Sequence, residues 1–141
     1  MVTSRSTAHS TAHSTVGRLG VDLEPLEARP HAWREASFCA EERALIERSI
    51  KELTQALRAP ELTERLLWTA AWCVKEARAK ASREGLGSPK RWPLSALKGA
   101  VGKDTLWGEA EVSGERVCWW LTRDQAQRPF VVALCCLSSS V

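Results

Sequence analysis

Residues 61–83 constrain the fold more than any other stretch, because they read as one long amphipathic helix whose apolar stripe must be buried. Leu67, Ala70, Ala71, Val74, Ala77 and Ala81 recur at helical spacing and form that stripe. Trp68, Trp72, Glu76 and Lys80 stand four apart, so they line one adjacent face. Lys75 sits about 100° round the axis from Glu76. Pro60 suits the first turn, and Gly85 and Gly87 end the helix. One carboxylate flanked by two ammonium groups can present a metal ligand and two phosphate-binding cations together. The competing reading is an ordinary helix carrying an i,i+4 ion pair worth about 0.2–0.5 kcal/mol.

A second acidic element lies upstream. Val16 to Leu23 reads as a strand, and the run Gly20-Val21-Asp22-Leu23-Glu24 stops at Pro25. Side chains alternate along a strand, so Asp22 and Glu24 share one side while Val21 and Leu23 share the other. Two neighbouring carboxylates repel, and a hard divalent cation relieves that repulsion. The alternative is a polar strand end facing water.

Between these elements, residues 25–37 hold Pro25, Pro30 and mixed charges and read as a connecting loop. A helix follows from Phe38 to about Leu57, with Ile46, Ile50, Leu53 and Leu57 on its buried side. Glu41 and Glu42 fall in its first turn, where carboxylates meet the helix dipole favourably. The remainder reads as β-rich: Trp92–Leu97, then Leu106–Val112 and Arg116–Thr122 around a Ser113-Gly114-Glu115 turn, then the apolar run Phe130–Leu137. Trp107, Trp119 and Trp120 are expected to pack against helices, with one of the last two facing outward. Lys90, Arg91 and Lys98 form a basic patch, either solvated or suited to an acidic partner.

Composition bounds the classes of function. With 141 residues, 44% hydrophobic and 26% charged, the chain supports one globular domain over residues 16–141. Residues 1–15 are a Ser/Thr/Ala/His run expected to form a flexible tail, so His9 and His13 are not assigned to a site. A net charge of +3 does not argue for nucleic acid, and no apolar run reaches the ~20 residues that span a bilayer. The five cysteines lack Cys-x-x-Cys spacing, which favours reduced, mostly buried thiols in a cytoplasmic protein over zinc ligands or disulfides.

Three motifs in order, Gly20-Val21-Asp22-Leu23-Glu24, Phe38-x-x-x-Glu42 and Trp72-Cys73-Val74-Lys75-Glu76-x-x-x-Lys80, resemble the 4′-phosphopantetheinyl transferase superfamily. The resemblance covers residues 19 to about 87, with a looser fit beyond. It departs from the family pattern at Cys39 and Cys73, where Ser or Thr is usual. It implies an α+β fold, two main helices packed on a small, mostly antiparallel sheet. It also implies an Mg²⁺-dependent enzyme that moves the phosphopantetheine arm of coenzyme A onto a serine of an acyl or peptidyl carrier protein, releasing adenosine 3′,5′-bisphosphate. Carried over position by position, Asp22, Glu24 and Glu76 would hold the metal. Lys75 and Lys80 would meet the coenzyme A phosphates, and Glu42, Glu76 and Lys80 would serve catalysis. The motifs are worded like the long, two-halved family members, yet the length is that of the short, assembling ones. One half-unit offers one wall of a cleft, so self-association is expected, as a trimer first and a dimer as the alternative. A non-catalytic module that keeps the fold and only binds carrier proteins is the other reading.

Overall fold

The computed structural model describes residues 16–138, so the tail expected over residues 1–15 lies outside the described residues. The elements run β1 (Val16–Pro25), α1 (His31–Ser37), α2 (Ala40–Leu57), α3 (Pro60–Ser82), a short 3₁₀ turn (Pro89–Arg91), β2 (Leu94–Val101), β3 (Leu106–Val112), β4 (Glu115–Arg123) and β5 (Pro129–Ser138). The strands form one sheet in the order β1-β5-β4-β3-β2, antiparallel at every pairing. The architecture is α+β, as expected, with a third helix that periodicity did not disclose. Residues 31–37 are α1 rather than loop, seven residues too short to display an apolar period. The strand expected over Trp92–Leu97 starts at Leu94 and continues to Val101, because residues 89–91 turn first.

α3 lies across the inner face of the sheet, against β1, β5 and β4, while α2 packs on α3 and β2. Leu67, Ala70, Ala71, Val74, Ala77 and Ala81 are all fully buried, as the stripe requires. Gly20 makes the closest crossing possible. A Cβ there would collide with the Ala77 carbonyl and the Ala81 backbone, so only hydrogen lets β1 reach the helix. The β3–β4 turn is Ser113-Gly114, both in the left-handed region at φ 49° and 79°. That geometry matches the twist of a two-residue hairpin and suits glycine at the second position.

The outer face of the sheet is apolar over β1 and β5 and carries Lys98, Glu109, Glu111 and Arg116 over β2, β3 and β4. Leu19, Val21 and Leu23 point away from the helices and are 59%, 47% and 59% exposed. In register, Val21 neighbours Leu134 and then Cys118, while Leu23 neighbours Val132, Trp120 and Trp107. Trp119 faces inward and is buried, and Trp120 faces outward, as expected. Trp107, expected to pack on a helix, is instead 46% exposed on the outer face. Three cysteines, Cys39, Cys118 and Cys136, are exposed, so the thiols are not mostly buried. Among the described residues no helix is long and apolar enough to cross a membrane.

Candidate active site

Because β1 presents alternate residues to α3, Gly20, Asp22 and Glu24 line up along the helix. Gly20 meets Ala77 and Ala81. Asp22 meets Lys80, whose Nζ donates to Oδ1 at 2.8 Å. Glu24 meets Trp72, whose Nε1 donates to Oε1 at 3.1 Å. The carboxylates therefore face the helix, and it is Val21 and Leu23 that face outward. A polar strand end turned to water is excluded.

Asp22 is only 6% exposed. Its Oδ2 is buried and accepts no hydrogen bond, an expensive state for a carboxylate oxygen. Burial, and then the adjacent Asp22 carboxylate, push Glu24 up to about 7. Burial and the Asp22 charge also raise Glu76 above its ordinary value. Lys80 is held above its ordinary value chiefly by the Asp22 hydrogen bond. These shifts describe crowded negative charge, partly neutralised by one amine. Cys73 closes the floor, its Sγ 3.4 Å from the Asp22 carbonyl, and burial raises that thiol out of nucleophilic range.

As they stand, no three acidic, His or Cys side chains among the described residues converge closely enough to hold an ion. The donor set nevertheless fits a hard divalent cation. Its ligands would be carboxylate oxygens, one of them is orphaned, and Glu24 and Glu76 resist ionising because of burial and the Asp22 carboxylate. Asp22 and Glu24 on β1 face α3, the helix that carries Glu76.

Glu42 and Lys75, given catalytic and phosphate-binding roles by the resemblance, pair with each other away from this cluster. Lys75 is wholly buried, and its Nζ lies 2.7 Å from Glu42 Oε2. It also donates to the Pro89 carbonyl at 3.0 Å and sits 4.7 Å over the Phe38 ring. Glu42 in turn accepts the backbone N–H of Cys39 at 2.9 Å and of Leu94 at 2.7 Å. Burial alone would raise the Glu42 carboxyl. The Lys75 hydrogen bond and the two backbone N–H groups overcome that and hold it below its ordinary value. The pair ties the start of α2, the middle of α3 and the start of β2 together, and leaves no donor for a phosphate. Helical spacing alone cannot separate Lys75 from Lys80; the 100° rotation between faces decides, and only packing fixes which face is inside.

Two residues beside Glu24 lie outside every motif. Arg29 Nη2 is 3.5 Å from Glu24 Oε2, and the Arg29 guanidinium lies 5.1 Å over the ring of Trp33. Both belong to the segment expected to be a loop; the Arg29-x-x-x-Trp33 spacing was their only trace. Of the basic patch, Arg91 pairs with Glu84 at 2.9 Å, and Lys98 lines a separate groove with Glu52 between α2 and β2.

The family model of the 4′-phosphopantetheinyl transferase superfamily matches residues 18–135. The chain belongs to that superfamily, whose members transfer phosphopantetheinyl groups and use coenzyme A. A search of curated proteins finds no match to it.

Proposed function

We propose that the protein transfers the 4′-phosphopantetheine arm of coenzyme A to a serine of an apo acyl or peptidyl carrier protein. The observation that carries this reading is the burial of Asp22 with one oxygen unpartnered between Glu24, Glu76 and Lys80. In the reaction the serine oxygen bonds to phosphorus and adenosine 3′,5′-bisphosphate leaves. Asp22, Glu24 and Glu76 would hold Mg²⁺, which supplies charge stabilisation on the diphosphate when bound. Lys80, half-exposed at 51%, is the amine free to turn from Asp22 to a phosphate oxygen once Asp22 ligates. Glu42 and Lys75 support the wall without touching substrate.

The active form is a homo-oligomer built on the outer face of the sheet, with a second copy as the occupant. Three β1 side chains and Trp107 are exposed there in one apolar sheet surface. Coenzyme A and unpaired thiols together suit a cytoplasmic setting.

The decisive measurement is the mass of an apo carrier protein after incubation with coenzyme A, Mg²⁺ and the protein. Addition of a phosphopantetheine group is the expected result, and Glu76→Gln is expected to abolish it while leaving the fold intact. Absence of transfer across several carriers, with carrier binding retained, would instead establish the non-catalytic carrier-binding module.

A further inference from the structure

One oxygen of Glu24 is hydrogen-bonded and the other ion-paired, and both partners lean on the same ring. Trp72 Nε1 donates to Oε1 at 3.1 Å, and Arg29 Nη2 stands 3.5 Å from Oε2. The Trp33 ring meets that of Trp72 at 5.5 Å between centroids, inclined 54°. On its face it carries the Arg29 guanidinium at 5.1 Å. Trp33 is itself fixed edge-on against Phe38 at 5.7 Å, and Phe38 lies against Trp68. Arg29 Nε is buried and donates to nothing, so the pose of Arg29 is set by the aromatic surface beneath it rather than by a full set of hydrogen bonds.

We propose that Trp33 is a positioning residue that fixes the Glu24 carboxylate for a divalent cation by bracing Trp72 and Arg29. This rests on the metal-holding role given to Asp22, Glu24 and Glu76 above. A free glutamate side chain gives up several rotamers when it ligates, whereas one already partnered at both oxygens gives up fewer. Partners of this kind behind a ligand carry roughly 10–100-fold in metal affinity. α1 therefore has a task beyond connection: it delivers one indole to the back of the acidic cluster.

The test is Mn²⁺ binding to the full chain, read from the electron paramagnetic resonance of free Mn²⁺, with no carrier protein or coenzyme A present. Trp33→Ala is expected to weaken Mn²⁺ binding by about tenfold while circular dichroism stays native. Trp33→Phe should recover most of the loss, because a ring face still supports both neighbours. Trp72→Phe, which keeps the ring but removes the N–H donor, should weaken binding alone. Combined with Trp33→Ala it should add little, because the two act through one carboxylate. If Trp33→Ala does not fold, Trp33→Leu, which fills much of the space without a ring face, carries the same comparison. A folded Trp33→Ala or Trp33→Leu variant with wild-type affinity, or fully additive losses, overturns the proposal and leaves Trp33 a packing residue only. Wild-type protein that binds no Mn²⁺ removes the metal-holding role itself and this proposal with it.

Discussion

Lys75 and Lys80 stand five residues apart on one helix and do opposite things. Lys75 is sealed in the core on Glu42, while Lys80 reaches half-exposed across to Asp22. Removing one partner of a buried pair strands the other, so Lys75→Met should cost about 3–5 kcal/mol in urea unfolding. The double variant Glu42→Gln/Lys75→Met should recover part of that cost, because no unpaired charge remains. The pH dependence follows from Glu42, whose folded pKa lies below its ordinary 4.5. Its contribution is present above the unfolded pKa and is lost as pH falls through the folded one. Wild-type stability should therefore drop on acidification below about 4.5, and Glu42→Gln should flatten that part of the profile. Equal acid sensitivity in both proteins would show that other carboxylates govern it.

At the scale of elements, the crossing of β1 and α3 sets the site. The helix sits close because Gly20 has no side chain to hold it off, and that closeness buries Asp22 one strand step further on. Gly20→Ala is expected to destabilise by more than the usual 1–3 kcal/mol of overpacking, since backbone rather than a flexible side chain stands in the way. The variant's melting temperature checks this, and an unchanged value would mean the crossing can open without penalty. The long helix was legible from its 3.6-residue stripe, the hairpin from Ser113-Gly114, and strand β5 from its apolar run. α1 was not legible, because seven residues following Pro30 show neither a period nor a side-chain cap. What stabilises it is the contact of Trp33 with Phe38 and Trp72, which join it from outside its own sequence.

For the whole molecule, the exposed row Leu19, Val21, Leu23 and the Trp107–Trp120 pair make the sheet two-sided in its hydrophobicity. Antiparallel sheets commonly turn one polar face to water, and here the β1–β5 part of that face is apolar instead. Sedimentation should find the wild-type protein associated. Leu23→Glu should shift it toward monomer while keeping its circular dichroism and losing transfer activity. A wild-type monomer at high concentration that transfers at full rate would exclude the assembly.

The sequence alone determined which residues carry charge beside apolar stripes, and so the helix, the alternation on β1, and the superfamily. Those depend on local periodicity, which covalent geometry imposes wherever the chain lies. It could not determine which lysine of α3 turns inward, that Glu42 is spent on Lys75, or that Arg29 and Trp33 stand behind Glu24. Each of these depends on residues brought together from distant segments. Only the packing of α1, α2 and the sheet around α3 makes one amine a core ion pair and leaves the other at the acidic cluster.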